Sequence, residues 1–263
     1  MIKIRWIPAV LLTSGLAIAQ EPAEQSAAQR EYETLVAAYS KESNAAARAQ
    51  RLFYASEEYT RLTEAGDRDA ITKRTAELPQ VDRKAHAEAF LAAAKRYEGT
   101  DAALPFMLWL LIDSQDPTSM AEAAKMILAD HKDSPELLAV ARRSYLLSRI
   151  PADNGTMFRK ALLESPHPLV SAWMRYQDLR TRISSPNASA QEREQAQKTA
   201  EQIAAAHPGT LLAKTIMGPR FVEERLKVGM EAPDIVGEDL DRVPFRLSDY
   251  RGKVVVLDFW GDW

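Results

Sequence analysis

The side chains of this sequence that could take part in catalysis or bind a metal are few and widely separated. The four histidines are spread over more than a hundred residues, at His86, His131, His167 and His207. His131 and His207 occupy equivalent positions of a weak internal repeat, which favours a structural role at a helix end over metal binding. His167 lies between two prolines and is expected in a loop. We therefore predict no metal site.

The sequence contains no cysteine. Within these 263 residues this excludes disulfides, thiolate zinc sites and any cysteine-based reaction. No glycine-rich phosphate loop, Ser-His-Asp set or carboxylate pair stands out, so we expect no cofactor. The formal net charge is −3, and the chain lacks the basic stripe that is typical of nucleic-acid-binding proteins.

The remaining candidates for chemistry are Asp258, Trp260 and Trp263, at the C-terminal end of the sequence. They lie in or just after an apolar run, Val254 to Trp260, that Lys253 introduces. The run is continuous, rich in β-branched residues and almost uncharged. It therefore predicts a central β-strand that is buried on both faces.

The residues that must position this strand predict a hairpin and a helical turn. Residues 228–234 have the pattern of an extended lead-in segment. Asp239 to Arg242 predict a turn, and Val243 to Leu247 predict the strand that follows it. Residues 248–253 then predict a short helical turn with Ser248 as its N-cap.

These ordered motifs resemble the start of an exported thioredoxin-like protein of the redoxin branch, the group of alkyl hydroperoxide reductases and thiol-specific antioxidant proteins. The matching pieces are Val228-Gly229-x-x-Ala232-Pro233-Asp234, then Phe245 to Lys253, then Val254 to Trp263. The resemblance covers only residues 227–263. Within the family, the ending Trp260-Gly261-Asp262-Trp263 is typical of Cys-x-x-Cys oxidoreductases, because peroxiredoxins carry a Pro and a Thr before a single peroxidatic cysteine. Arg242 departs from the pattern, since a hairpin glycine is common there.

The resemblance implies that a Cys-x-x-Cys motif follows Trp263 directly and opens a helix. A cysteine at a helix N-terminus has a lowered pKa, so its thiolate can attack a disulfide, and the second cysteine then resolves the mixed disulfide. By the same resemblance, Trp263 shields the site and Trp260 belongs to the motif before it. Asp258 matches a buried acid that helps to deprotonate the second cysteine. Asp258 has a second interpretation, as a strand residue with a structural partner.

The 263 residues end one position before the expected nucleophile. Three explanations are open: a frameshift or nonsense mutation, a fragment of a longer chain, or a UGA codon that encodes selenocysteine and has been read as stop. In each case we expect this chain to be inactive in thiol chemistry. We refer to residues 228–263 as the tail. Because the edges of its hydrophobic strand are unpaired, we also expect the tail to be poorly ordered or self-associating.

The first nineteen residues predict export. Lys3 and Arg5 precede an apolar run from Trp6 to Ile18, and Ala17-Ile18-Ala19 supplies a small-x-small cleavage pattern. The run is shorter than the ~20 residues that a membrane span needs, which favours a cleaved signal peptide over an uncleaved anchor. The mature protein is therefore expected to be periplasmic or otherwise extracytoplasmic, without a stable membrane span.

Residues 20–226 predict a helical domain of about ten helices. Gly66, Gly99 and Gly209 follow runs of helix formers, where a helix C-terminus favours a left-handed residue. Leu104 to Ile112 predicts a buried helix rather than a ligand-binding aromatic patch. Apolar residues recur at spacings of three and four in four stripes, which are Phe90/Ala94/Tyr97, Met120/Ala124/Ile127, Leu138/Ala141/Tyr145 and Leu169/Trp173/Tyr176.

Three segments of this domain are similar to one another. Each has a helix end at Tyr97, His131 or His207, then a turn, then a Ser or Thr as the next N-cap. The first two are 131 − 97 = 34 residues apart, which is the length of a tetratricopeptide repeat. We therefore predict a mainly α chain, a degenerate tetratricopeptide-like helical array, followed in residues 227–263 by the N-terminal part of an α/β thioredoxin fold.

Two functions are consistent with this organisation. In the first, the intact parent is an extracytoplasmic thiol–disulfide oxidoreductase that acts on disulfide-containing exported proteins or on a redox partner protein. In the second, the chain is a non-enzymatic helical scaffold that binds another exported protein, and the C-terminal segment is a relic. A downstream Cys-x-x-Cys motif would support the first, and capture of a partner by the helical domain alone would support the second.

Overall fold

The computed structural model describes residues 23–239 and 241–258, and this part of the chain is mainly α-helical. The predicted signal peptide over residues 1–19 lies outside the described residues. The α-helices in chain order are α1 (Ala23–Tyr54), α2 (Glu57–Glu64), α3 (Arg68–Glu77), α4 (Arg83–Arg96), α5 (Leu104–Ile112), α6 (Pro117–Asp130), α7 (Leu138–Ala141), α8 (Ala152–Leu163), α9 (Pro168–Ser184), α10 (Ala190–Ala206) and α11 (Leu211–Arg225).

Short 3₁₀ helices and one hairpin complete the described secondary structure. The 3₁₀ helices are Asp101–Ala103, Pro135–Leu137, Ser144–Arg149 and Leu247–Tyr250. Two strands, β1 (Val236–Glu238) and β2 (Pro244–Arg246), pair in antiparallel orientation. The mainly α prediction and the position of the hairpin are thereby confirmed, whereas the tetratricopeptide-like arrangement stays a prediction.

The predicted helix ends are confirmed at the three glycines. Gly66, Gly99 and Gly209 have φ angles of 69°, 79° and 76°, in the left-handed region where a side chain would be strained. The N-termini of six helices, α2, α3, α4, α6, α10 and α11, are closed by polar side chains. Asp116 Oδ2, for example, accepts a hydrogen bond from the Ser119 N–H at 2.8 Å. Local sequence signals therefore set where most helices begin and end.

The helices differ widely in length. Helix α1 has 32 residues and α7 has four. The length of α1 has a simple cause, since residues 23–54 contain neither glycine nor proline to end the helix. Pro135 and Pro151, in contrast, restrict the segment between them to short helical pieces.

The three similar turns of the sequence share one geometry. Tyr97, His131 and His207 are the C-cap residues of α4, α6 and α10. In each turn the carbonyl of the C-cap residue accepts the N–H of the residue three positions on, at 3.1 Å for Thr100, 2.9 Å for Ser134 and 3.4 Å for Thr210. The helix-end position that the sequence predicts for His131 and His207 is therefore confirmed.

The hydrophobic core is centred on α5. Every residue from Phe106 to Leu111 is buried, because α5 lies between α4 and α6 and has no face open to water. Phe90 of α4 stacks on Trp109 of α5, with ring centroids 3.7 Å apart and planes within 7° of parallel. From α1, Tyr39 packs edge-on against Trp109 at 5.1 Å. The predicted buried helix is confirmed.

One predicted apolar stripe is wrong at its end. Tyr145 is exposed, although Leu138 is partly buried and Ala141 is fully buried. The reason is that α7 ends at Ala141 and the chain continues as a 3₁₀ helix from Ser144. The spacing that aligns residues on one face of an α-helix no longer applies there.

Candidate functional site

The hairpin that precedes the predicted active-site strand is held by side-chain hydrogen bonds in its turn. The pairing places Val236 opposite Arg246 and Glu238 opposite Pro244. Asp239 Oδ1 accepts the N–H groups of Asp241 and Val243, each at 2.9 Å. An aspartate that bonds to the backbone two residues on is a common way to close a turn.

Arg242 takes the conformation that glycine usually supplies. Its φ angle is 62°, in the left-handed region. At this position the sequence departs from the family pattern, in which a hairpin glycine is common. The structure shows that the turn is kept and that an arginine carries the strained φ angle.

The lead-in segment is attached to the turn after β2 by Asp234 and Ser248. Asp234 Oδ1 accepts the backbone N–H of Ser248 at 2.8 Å, and Oδ2 accepts the Ser248 hydroxyl at 2.9 Å. Leu247 N–H also donates to the Ile235 carbonyl at 2.9 Å. The hydrogen bonds from Ser248 to the charged carboxylate hold the pKa of Asp234 below its ordinary value of 3.8. We refer to the Asp234–Ser248 pair as the latch.

The predicted role of Ser248 is therefore wrong. The helical turn begins at Leu247, and the carboxylate that caps it is Asp249, whose Oδ2 accepts the Arg246 N–H at 2.9 Å. Ser248 lies inside the turn, where its N–H and hydroxyl are free to reach Asp234. A second link lies beside the latch, where Arg251 donates to Glu231 Oε1 at 2.6 Å. Together these bonds set the direction in which the chain continues after Gly252.

The segment after this turn does not form the predicted strand. Residues 254–258 of the predicted strand Val254–Trp260 are described, and they pair with no other strand in the described part of the chain. They are also exposed rather than buried on both faces. A β-strand is stable only when a neighbouring strand accepts and donates its backbone hydrogen bonds, and no such neighbour lies beside residues 254–258 among the described residues.

The three predicted site residues have different outcomes. Asp258 is exposed, so it does not occupy a buried environment in this structure. Trp260 and Trp263 lie outside the described residues. Sequence reasoning also missed the latch, because no local signal links an aspartate to a serine fourteen positions away.

A cleft of about 810 Å³ separates this tail from the helical domain. Met217 and Phe221 of α11 form part of one wall, and Pro233 and Leu247 of the tail form part of the other. Charged side chains that line the cleft form ion pairs with one another, such as the pair between Arg220 and Glu224. The cleft shows that the tail is not packed closely on α11.

The remaining sequence candidates are explained by packing. His86 Nε2 lies 3.0 Å from Glu42 Oε2 and joins α4 to α1, and His167 Nε2 lies 2.7 Å from the Asp133 carbonyl. Over residues 23–239 and 241–258, no group of three or more His, Cys, Asp or Glu side chains is placed to hold a metal ion. Among the helices described, none is long and apolar enough to cross a bilayer.

Known proteins match this chain over a short segment. The thiol-disulfide oxidoreductase ResA of Geobacillus thermodenitrificans is 49 % identical over 53 residues, which is 20 % of this chain and 30 % of that protein. ResA of Geobacillus kaustophilus is 61 % identical over 50 residues, 19 % of this chain and 29 % of that protein. ResA of Bacillus cereus is 46 % identical over 41 residues, 16 % and 24 % of the two chains.

The chain therefore spans less than a third of the length of these relatives. No family model and no solved structure matches it. The resemblance of a segment of the chain to thioredoxin-like thiol–disulfide oxidoreductases, which the terminal motifs predicted, is confirmed.

Proposed function

We propose that this chain contains the first part of an extracytoplasmic thioredoxin-like thiol–disulfide oxidoreductase, preceded by a helical domain. The observation that carries the proposal is the identity of 44–61 % between a segment of the chain and several proteins named thiol-disulfide oxidoreductase ResA. The matched segments have 41 to 53 residues. This length is similar to that of residues 227–263, the 37 residues that carry the family motifs.

The geometry of the tail supports this proposal. The latch and the Glu231–Arg251 pair hold the lead-in segment against the turn before residue 254. The apolar run that follows has the composition of a central strand but lacks strands beside it in the described chain. In a completed domain, neighbouring strands would pair with the run and helices would cover its two faces.

The chemistry requires cysteines, which the 263 residues do not contain. In a dithiol oxidoreductase, one thiolate attacks a sulfur of the substrate disulfide, which forms a mixed disulfide and releases a substrate thiolate. The second cysteine loses its proton and attacks the mixed disulfide, which releases the second substrate thiol. The enzyme's two sulfurs are oxidised to a disulfide and the substrate is reduced. In this scheme Asp258 takes the proton of the second cysteine, and Trp263 shields the pair.

The proposed substrates are disulfides of exported proteins, or of a redox partner protein. This part of the proposal depends on residues 1–19 acting as a signal peptide, because disulfides persist mainly in oxidising compartments. The helical domain has a core of its own, with buried side chains from Ala28 to Ile216. It is proposed to bind the partner or to hold the redox domain at a distance from it.

The first test is the nucleotide sequence after codon 263. The proposal expects an in-frame Cys-x-x-Cys, or UGA followed by x-x-Cys, and then the rest of a thioredoxin-like domain. A reading frame without either would contradict the redox proposal. It would favour the alternative, a non-enzymatic helical scaffold that binds another exported protein. A selenocysteine codon would additionally require a recoding element in the transcript, which can be tested by incorporation of ⁷⁵Se.

The second test is enzymatic. The part of Geobacillus kaustophilus ResA that follows its matching segment is joined to Trp263, and reduction of insulin by dithiothreitol is measured. The chimera is expected to accelerate reduction, and a variant with the first cysteine replaced by serine is expected to be inactive. The 263-residue chain is the matched control, with no acceleration expected. A folded chimera that has a complete Cys-x-x-Cys and no activity would contradict the proposal.

A further inference from the structure

An exposed basic segment follows α7, at the point where the predicted apolar stripe ends. Arg142, Tyr145 and Arg149 are all exposed, and Tyr145 keeps 64 % of its surface in contact with water. Residues 137–152 contain three arginines and neither aspartate nor glutamate. This segment is therefore positively charged, in a chain whose formal net charge is −3.

Two of the three arginines have no carboxylate partner in the described part of the chain. Arg143 is half-buried and is used inside the domain, since its Nη1 donates to the Ala139 carbonyl at 3.2 Å. Burial raises the pKa of Asp113, and the nearby charge of Arg143 opposes that shift. Arg142 and Arg149, in contrast, form no ion pair with any described residue. Their guanidinium groups are free to bind an anionic group from outside the chain.

Arg142 is held in place by an aromatic ring. Its Cζ lies 6.0 Å from the centroid of the Trp173 ring, and Trp173 is buried in α9. A guanidinium that stacks on a ring keeps its N–H groups available, and it loses less conformational entropy when it binds a carboxylate with two hydrogen bonds. Tyr145 adds an exposed ring and hydroxyl three residues further on. Arginine and tyrosine are among the residue types that contribute most at protein interfaces.

We propose that Arg142, Tyr145 and Arg149, which we call the basic surface, bind an acidic segment of a protein partner. The charge of the two arginines is complementary to carboxylates of one short peptide, and the Tyr145 hydroxyl is a third donor. Attachment to a lipid surface generally takes about four to eight Lys or Arg residues in one cluster, and binding to nucleic acid also takes several. Two free arginines therefore favour a peptide.

The inference rests on the part of the proposed function that assigns partner binding to the helical domain, and it names the chemistry of that partner. It does not involve the redox reaction. Failure of peptide binding would leave the redox proposal unaffected, and an inactive chimera with ResA would leave the basic surface unaffected.

The test measures the dissociation constant of a fluorescein-labelled oligoglutamate peptide from the 263-residue chain, by fluorescence anisotropy at low salt. Arg142→Glu and Arg149→Glu are each expected to raise the constant by roughly threefold to tenfold, because each replaces an attraction with a repulsion. Arg142→Lys is expected to raise it by about twofold, because lysine keeps the charge but loses the two-pronged hydrogen bond.

Two further variants separate specific binding from a general effect of charge. Tyr145→Ala is expected to raise the dissociation constant by about twofold to fivefold, although the net charge is unchanged. Arg68→Glu is the matched control, because it makes the same change in net charge in the exposed first turn of α3. It should leave the constant unchanged. Circular dichroism shows whether each variant keeps its helical content.

Four results would overturn the proposal. The first is the absence of peptide binding at millimolar concentration. The second is an affinity that neither Arg142→Glu nor Arg149→Glu changes. An equal loss of binding in Arg68→Glu would show that the peptide responds only to net charge. Binding to phosphatidylglycerol vesicles, without binding to the peptide, would assign the basic surface to a membrane instead.

Discussion

The carboxylate of Asp234 accepts two hydrogen bonds from Ser248, one from its N–H at 2.8 Å and one from its hydroxyl at 2.9 Å. The two residues lie fourteen positions apart, one on each side of the hairpin, and the pair is on the exposed side of the tail. Its role is therefore to hold the lead-in segment and the turn before residue 254 in one arrangement, in a part of the chain that buries few side chains.

Removal of the latch is expected to loosen the tail without affecting the helices. In Asp234→Ala, the Ser248 and Leu247 amides should exchange with deuterium roughly five to ten times faster, because the two hydrogen bonds from Ser248 to the carboxylate are lost. The matched control is Asp241→Ala, because Asp241 contributes its backbone N–H to the turn and the substitution retains it. Unchanged exchange at Ser248 in Asp234→Ala would show that the latch does not order the tail.

The order of the tail should depend on pH through Asp234. The pKa of its carboxyl is lowered from 3.8 because the Ser248 N–H and hydroxyl donate to the charged form. The stabilisation is therefore fully present above pH 3.8 and is lost as the pH falls through the lower value of the folded state. We expect the nuclear magnetic resonance signal of the Ser248 amide to keep its position down to pH 3.8 and to shift below it. In Asp234→Asn this transition should be absent.

The strained turn residue offers a stabilising substitution. Arg242→Gly is expected to slow amide exchange within the hairpin by about twofold, because glycine adopts a positive φ angle without a steric cost, a gain of roughly 0.5 kcal/mol. Arg242→Val should act in the opposite direction, since a β-branched side chain is least tolerant of this conformation. Equal exchange rates in the two variants would mean that the turn adjusts its backbone.

The stacked pair in the core should dominate the stability of the helical domain. Phe90→Ala is expected to lower the free energy of unfolding by about 3–5 kcal/mol, through loss of buried area, loss of the contact with Trp109 and a cavity between α4 and α5. Urea unfolding followed by circular dichroism measures this change. Leu52→Ala on the exposed side of α1 is the control, with an expected change within about 0.5 kcal/mol.

The helical domain should be independent of the tail. Deletion of residues 228–263 is expected to change the melting temperature by less than about 4 °C, the shift that corresponds to 1 kcal/mol in a domain of this size. The reason is that the buried core extends from Ala28 to Ile216 and, among the described residues, contains none of the tail. The deletion should also raise solubility, because it removes the exposed residues Val254 to Leu257. A decrease in melting temperature of ten degrees or more would show that the tail is part of the core.

The sequence predicted much of the helical domain because its signals are local. Gly66, Gly99 and Gly209 each have the left-handed conformation that their positions after helix formers predict. The run from Leu104 to Ile112 is a buried helix because no arrangement could expose nine apolar residues without a large cost in hydration free energy. Tyr145 was misplaced because the change from α to 3₁₀ geometry depends on packing on both sides of it.

In the tail, the family resemblance, the hairpin and the composition of the run from Val254 could all be predicted from the residues alone. Each of these depends on residue types in a fixed order along the chain. Only the tertiary structure showed that Asp234 bonds to Ser248, that Asp249 rather than Ser248 caps the turn, and that residues 254–258 are exposed. These features depend on which groups meet across space. β-propensity can favour an extended chain, but a strand forms only when another strand lies beside it to share its hydrogen bonds.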